Sequence, residues 1–524
     1  MSEFLDLPEE LLLAIVNRVQ YDTSTSRQDY RDLRSIALSC LKLRPIAQEV
    51  LHTEVTIQRA RSLRGLNNLA YLARTLIQRP DLALKVRTLD LGIIGNPVMH
   101  SSDCSHLIHP EEQDCTCRLK GVISLCIVYL RTVITIDGLS LHNQSWVKNI
   151  REGLQLAIVG LILCITPRLE SLALGYRKQR LAYPTGFHTK PIGMEHIGFN
   201  DLFGSATEIP GFSIERIKGF TKLTRLSTNT FPTANILRLP QLEALELGLL
   251  DNQYNEAPTY IRRSINSADI TLSTTLIHLV VQLDKLALYS DRVIEMAGMY
   301  KHLRNTIKNL AALKYLSLNF GCSWGNRFNT ELGDLSEASY EYVTSKLESL
   351  SLTHLTLDIE DTKRTWFDES YDAVLVEEIY PMTSFVRLPN LRYITAPQEA
   401  FFTPHDYDKC DLPTSIEVIG IISPTHATTD YISHLLGHQE RWPNLRLTRL
   451  ETGMSGSEYC RGIADAALAY VHNSDFDSDS GTFYARCLEL SQKLFGLSIE
   501  GVWNSDVWVE LGRDRFAWMK WWPE

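Results

Sequence analysis

The sequence lacks several features that would point directly to a class of function. It has no excess of basic residues, because 52 lysines and arginines stand against 62 aspartates and glutamates, a formal net charge of −10. A general nucleic-acid-binding surface needs the opposite balance, so we expect no nucleic-acid partner. The chain also lacks a basic start followed by an apolar run and a small-residue cleavage site, which argues against a secretory signal.

No apolar run is long enough to cross a membrane. The longest, residues 154–165 (LQLAIVGLILCI), falls short of the roughly 20 residues that a bilayer-spanning helix needs. It predicts a buried helix and no membrane partner. The ten cysteines are scattered, and Cys126 and Cys164 have apolar neighbours, which is typical of a reducing compartment and not of a disulfide framework. We therefore expect the cytoplasm, the nucleus or both.

Motifs for catalysis are missing as well. The chain contains no phosphate-binding glycine loop, no His-Glu-x-x-His helix and no Gly-x-Ser-x-Gly turn, so we expect no enzyme and no cofactor. The strongest metal candidates are Cys104, His106, Cys115 and Cys117, which offer thiolate and imidazole ligands. Their spacing matches no established zinc finger. Chance enrichment in a loop is therefore the expected interpretation, and structural zinc is the alternative.

The N-terminus, in contrast, carries a clear signal for an amphipathic helix. Asp6 can cap this helix, and Glu9, three residues on, can bond back to it. Pro8 suits the first turn because its missing N–H costs nothing there. A single apolar stripe follows at Leu11, Leu12, Ile15, Val16 and Val19. A helix this short must pack on its own chain or on a partner.

Residues 4–57 as a whole resemble an F-box. The features that carry the resemblance are the opening LPEELL, Ile15 one turn later, the helix LRSIALSC and the short strand VTI. The chain differs from the family in a longer loop after the first helix. It also has Leu43 roughly where a tryptophan is common.

The resemblance implies a three-helix module over residues 1–58 that docks the adaptor subunit of a cullin-based, SCF-type ubiquitin ligase. Carried over by position, the residues that contact the adaptor are Leu7, Pro8, Leu11, Leu12, Ile15, Leu38, Leu41 and Leu43. The alternative is that these helices only cap the domain that follows.

The rest of the chain repeats the unit Leu-x-x-Leu-x-Leu or close variants of it. Copies begin at positions 169, 223, 242, 276, 313, 347, 391, 416 and 445, on average about 34 residues apart. One strand and one helix cannot bury their apolar faces alone, so neighbouring units should stack. For residues 59–455 we therefore predict an α/β, leucine-rich-repeat-like solenoid with parallel strands on the concave face and helices outside.

Strand positions that alternate with the leucines should face outward and bind a protein substrate. Candidates are Glu170, Glu243, Lys314 and Tyr315, whose mixed chemistry names no substrate. The whole arrangement resembles F-box proteins with degenerate leucine-rich repeats. That resemblance implies a non-enzymatic substrate receptor, monomeric within its cullin complex. A leucine-rich-repeat scaffold without a ligase is the alternative, and an enzyme with an unrecognised site is a third hypothesis.

The final segment, residues 456–524, is rich in tryptophan. Five of the nine tryptophans fall within the last 24 residues. Left exposed, they would form a large apolar patch. They either cap the open end of the repeats or grip a partner, and capping is the expectation.

Overall fold

The chain forms two compact units, Met1–Leu245 and Glu246–Glu524. The computed structural model describes residues 7–20, 30–57, 64–91, 121–132, 144–152, 154–174, 202–203, 214, 217–228, 234–250, 275–284, 303, 306–321, 338–344, 347, 351–359, 379–382, 384–402, 407, 411–422, 426–445, 447–451 and 498–502. The predicted domain boundaries at 58 and 455 stay predictions.

Three short helices open the first unit: α1 (Glu9–Gln20), α2 (Tyr30–Ser39) and α3 (Leu43–Thr53). We call them the three-helix module. They pack on one another around a shared apolar core formed by Leu12, Val16, Leu33, Leu43, Ile46, Ala47 and Val50. The first turn of α1 begins with the carbonyl of Pro8, which accepts the N–H groups of Leu11 and Leu12. The predicted cap, Asp6, lies outside the described residues.

The strands of the first unit pair in parallel and in chain order. They are β1 (Glu54–Ile57), β2 (Thr88–Leu91), β3 (Ser171–Leu174) and β4 (Arg225–Thr228), and β5 (Ala244–Leu250) begins at the end of this unit. The register places Leu89, Leu172 and Leu226 in one row, and all three are buried. Period-two alternation therefore turns the repeated leucines toward the core.

Helices and short turns connect these strands. The helices are α4 (Arg64–Gln78), α5 (Pro80–Ala83), α6 (residues 121–132), α7 (Gln144–Arg151), α8 (Gln155–Ile165) and α9 (Ala234–Leu237), with a 3₁₀ turn at Lys218–Phe220. The predicted buried helix is confirmed, because every residue of α8 is buried. The indole N–H of Trp146 donates to the Ala157 carbonyl at 3.0 Å and so ties α7 to α8. Among the described residues, no helix is long and apolar enough to span a bilayer.

The second unit continues with parallel strands in chain order. Its main sheet contains β6 (His278–Asp284), β7 (Tyr315–Gly321), β9 (His354–Ile359), β11 (Tyr393–Pro397), β12 (Val418–Ile422), β13 (Leu447–Glu451) and β14 (Ser498–Val502). A separate pair is formed by β8 (Ala338–Ser339) and β10 (Ile379–Tyr380). The helices are α10 (Glu341–Thr344) and α11 (His426–Gly437), with 3₁₀ turns at Ser384–Arg387, Gln398–Ala400 and Gln439–Arg441. The predicted α/β class is confirmed.

The same backbone arrangement joins one strand to the next at several steps. A carbonyl just before a strand accepts two N–H groups at the start of the following strand, with N···O distances of 2.7–3.0 Å. The acceptors include Arg87, Lys314 and Arg392. The first leucine of a repeat instead ends a turn, donating its N–H to the carbonyl three residues earlier, as at Leu169 and Leu313. The Leu-x-x-Leu-x-Leu spacing thus consists of one turn position followed by two inward strand positions.

One predicted repeat is wrong in its register. The sequence pattern predicts a copy at Leu347, Leu350 and Leu352, but β9 begins only at His354. Leu316 of β7 pairs with Leu355, so the copy on the strand consists of Leu352, Leu355 and Leu357. Five leucines within residues 347–357 allow two overlapping matches to the pattern, and pairing with the neighbouring strand selects the second.

β14 falls within the segment that the sequence assigns to a tryptophan-rich cap. It pairs in parallel with β13 over five residues, from Leu447 opposite Ser498 to Glu451 opposite Val502. The sequence analysis did not predict this strand. The tryptophans themselves, from residue 503 on, lie outside the described residues.

Candidate docking surface

Exposed apolar side chains are concentrated on the three-helix module. Seven large apolar side chains are exposed among the described residues, and four of them lie in this short module. Their exposed fractions are 51% for Leu11, 39% for Ile15, 80% for Leu38 and 77% for Leu41. The other three, Leu84, Val128 and Val386, are scattered over the chain. Isolated exposed leucines are ordinary, whereas such a concentration is typical of an interaction surface.

The helical period explains how α1 serves both a core and a surface. Leu12 and Val16 lie one turn apart and fill the core of the module. Leu11 and Ile15 precede them by one residue, which rotates them by about 100° around the helix axis and leaves them in solvent. Pro8, one turn before Leu11, is also exposed. The single stripe predicted from the sequence is therefore two stripes with different surroundings.

On α2 the inward and outward positions separate in the same way. Leu33 is buried in the core, and Ile36 and Ala37 pack against it partly. Leu38 follows on the outer side, and Leu41 lies in the turn between α2 and α3. Neither side chain is needed to complete the apolar core of the module.

The residues predicted to contact the adaptor have different surroundings in the module. Leu12 and Leu43 are buried at 0% and 8% exposure within the module's own core, so a docked partner would not reach them. Leu7 is half-buried against the same core. Leu43 thus has a packing role beside Ile46 and Val50. The remaining predicted contacts, Pro8, Leu11, Ile15, Leu38 and Leu41, are exposed.

A direct helix-to-strand junction holds the module against the first strands. α3 ends at Thr53 and β1 begins at the next residue, with no linker between them. The Thr53 carbonyl accepts the N–H of Arg87 at 2.9 Å, and Lys85 Nζ lies 2.7 Å from Glu49 Oε1. Both contacts connect α3 to the segment that leads into β2. The exposed side of the module therefore has a fixed orientation relative to β1 and β2.

The four predicted substrate positions have different surroundings. In the first unit, Glu170 is half-buried and forms an ion pair with Arg87, whereas Glu243 is exposed. In the second unit, Lys314 is exposed and Tyr315 is half-buried. Glu243 and Lys314 are therefore the more accessible of the four side chains. The carboxylate of Glu170 is, in addition, already paired with a cation.

Tyr315 belongs to a row of stacked rings that the sequence analysis did not recognise. The row, here called the ring row, consists of His278, Tyr315, His354 and Tyr393 at paired positions of β6, β7, β9 and β11. Successive ring centroids are 4.2, 4.2 and 4.1 Å apart. A sequence signal exists in retrospect, because each ring immediately precedes an inward apolar residue of the strand.

The surroundings of His354 in the ring row favour the neutral form of its imidazole. Burial, with smaller contributions from the charges of Arg392 and His278, lowers the pKa of His354 to about 3. Thr353 Oγ1 lies 2.7 Å from His354 Nδ1. Burial also raises the pKa of Tyr315, with a smaller contribution from Tyr393. The stacked rings therefore pack against one another along neighbouring strands.

The candidates for metal or thiol chemistry are not supported by the described part of the chain. Within it, no group of three or more His, Cys, Asp or Glu side chains is arranged to hold a metal ion. The zinc candidates Cys104, His106, Cys115 and Cys117 lie outside that part. Burial raises the pKa of Cys126 to about 11, which keeps its thiol protonated at neutral pH.

Comparison with protein families and with curated proteins finds no match to the chain: no protein-family model matches it, and no curated protein is significantly similar to it in sequence.

Proposed function

We propose that the chain is the substrate-recognition adaptor of an SCF-type ubiquitin ligase. In this proposal the three-helix module is an F-box that docks the ligase adaptor subunit. The strands that follow belong to a leucine-rich-repeat-like solenoid that binds a protein substrate. The observation that supports it most is the exposure of Leu11, Ile15, Leu38 and Leu41 on a module whose core is complete without them.

The exposed apolar surface is large enough to anchor a partner. Full burial of one leucine or isoleucine side chain contributes about 1.5–3 kcal/mol. The four side chains are 39–80% exposed, so docking would remove apolar surface equivalent to roughly two to three such residues from water. Interfaces commonly depend on a few apolar anchors of this kind, and helices that dock in grooves present them one turn apart.

The proposed role requires no catalytic residue in this chain. A substrate receptor acts by holding its substrate near the transfer machinery, which raises the effective concentration of the substrate there. The direct junction between α3 and β1 suits this role, because it fixes the docking side relative to the first strands. We place such a receptor in the cytoplasm or nucleus, as one copy per cullin complex.

Affinity capture from cells tests the proposal. The test variant is Leu11→Asp with Ile15→Asp, and the matched control is Leu84→Asp with Val128→Asp, two exposed apolar residues elsewhere in the first unit. The wild type and the control should capture the ligase adaptor and the cullin, whereas the test variant should lose both. If all three chains capture the same proteins, the assignment of this surface is wrong.

The second candidate is a leucine-rich-repeat scaffold with no ligase. It is favoured by the direct continuation of α3 into β1, since the module would then serve only to cover the first strand. This candidate predicts that the wild type captures neither adaptor nor cullin while still binding its own protein partner.

A further inference from the structure

The outer side of α2 carries positive charge beside its exposed leucines. Arg34 lies one helical turn before Leu38, and Lys42 follows Leu41 directly; both cations are exposed. Arg44 is exposed as well, and its Nε donates to the Ala37 carbonyl at 3.3 Å. Three exposed cations thus accompany two exposed leucines.

This local charge is opposite to that of the whole chain. Residues 30–53 contain four arginines and lysines and two acidic residues, although the chain as a whole has a net charge of −10. The acidic residues of α1, Glu9 and Glu10, lie in its first turn, where they suit the helix dipole. The α2 side of the docking surface is therefore basic on an otherwise acidic protein.

We propose that the protein that docks on the three-helix module presents an apolar groove whose rim, where it meets α2, carries carboxylates that face Arg34, Lys42 and Arg44. This inference rests on the proposed function and specifies the chemistry of the partner. Exposed charges at the rim of an interface govern the association rate and its salt dependence, whereas buried apolar anchors govern dissociation. Leu38 and Leu41 hold the partner, and the cations steer it.

A protein partner fits this surface better than an anionic membrane does. Basic segments that recognise anionic lipids contain clusters of four to eight lysines or arginines. Among the described side chains of α2, α3 and the turn between them, the exposed lysines and arginines are Arg34, Lys42 and Arg44, and the apolar side chains project from two packed helices and a turn. A carboxylate-rimmed protein groove needs only a few such charges.

Association kinetics with purified ligase adaptor test the inference. The test variant is Arg34→Glu with Lys42→Glu, which leaves Arg44 and its bond to α2 intact. The matched control is Arg168→Glu with Lys218→Glu, two exposed cations of the first unit outside the module that undergo the same change of charge. Circular dichroism and thermal unfolding of all chains verify that the variants fold.

The test variant should associate about tenfold more slowly than the wild type at low salt, because steering accounts for factors of this order. Its dissociation rate should change little, and the difference should shrink at high salt as the charges are screened. The control should associate at the wild-type rate.

Two results would overturn the inference, and they differ in what they say about the proposed function. If the wild type binds the adaptor but the test variant and the control associate equally fast, the basic rim is irrelevant and the proposed function stands. If the wild type does not bind the adaptor, both the inference about the basic rim and the proposed function are wrong. Binding to phosphatidylserine vesicles that depends on Arg34 and Lys42 would then identify a membrane as the occupant.

Discussion

His354 and Tyr393 stack across two adjacent parallel strands, with ring centroids 4.1 Å apart and ring planes 5° from parallel. The register of β9 and β11 pairs these residues directly. The centroid spacing is shorter than the ~4.8 Å between neighbouring strands, so the rings lean together. A shift of one residue between the strands would send one ring to the opposite face, and the stack therefore favours the observed register.

The neutral state of His354 makes stability depend on pH. Burial lowers the pKa of this imidazole from 6.5 to about 3. Between these values the unfolded chain binds more protons than the folded chain, so the folded state loses stability as the pH falls below 6.5. Above pH 6.5 His354 is neutral in both the folded and the unfolded chain, so it causes no further change of stability with pH.

The variant His354→Phe retains a ring but cannot take up the proton. The free energy of unfolding should decline less in this variant than in the wild type between about pH 7.5 and pH 4.5, as measured by urea denaturation. Equal declines in the two chains would show that His354 remains ionisable in the folded state.

Substitution of Gly160 by alanine should lower the stability of the fold. A Cβ added to this residue of α8 would overlap the carbonyl oxygen of Leu202. Helix propensity alone predicts that Gly160→Ala gains up to about 1 kcal/mol, but the backbone contact should reverse the sign. Thermal unfolding should show a loss of roughly 1–3 kcal/mol.

Gly121→Ala is the matched control. Gly121 lies in α6, and apart from its chain neighbours and the backbone of its own helix, no described heavy atom lies within 4 Å of the position of an added Cβ. This variant should be neutral or slightly more stable than the wild type. If both variants behave alike, the close approach of α8 to Leu202 is absent.

Substitutions of the neighbouring residues Leu11 and Leu12 should differ strongly in their effect on stability. Leu12 is completely buried in the module core, so Leu12→Ala should cost about 2–5 kcal/mol of unfolding free energy. Leu11 is half exposed, so Leu11→Ala should change stability by less than about 0.5 kcal/mol. Denaturation of both variants measures the difference. A large loss of stability on changing Leu11 would show that its side chain belongs to the core of the chain.

The sequence predicts those features of the fold that depend on local periodicity. The apolar run at 154–165 becomes a fully buried helix because none of its faces is polar. Eight of the nine predicted repeat copies have their second and third positions on an observed strand, because alternation of leucines with polar residues suits a sheet. The ninth, at 347, is displaced because closely spaced leucines satisfy the pattern twice.

Features that depend on neighbours in space could not be predicted in this way. An apolar stripe on α1 does not reveal that Leu12 faces its own chain while Leu11 faces solvent, since both lie within one wide stripe. The ring row was missed because its members are far apart in sequence and meet only through strand pairing. Arg34 and Lys42 became informative once Leu38 and Leu41 beside them proved to be exposed.

Calorimetric titration of the purified chain with purified ligase adaptor tests the central claim most directly. The variant is Leu38→Asp with Leu41→Asp, which alters two highly exposed side chains and leaves the module core intact. The wild type and the control Leu84→Asp with Val128→Asp should bind one adaptor per chain. The Leu38 and Leu41 variant should lose at least about 2 kcal/mol of binding free energy. No binding by the wild type, or undiminished binding by the variant, would contradict the claim.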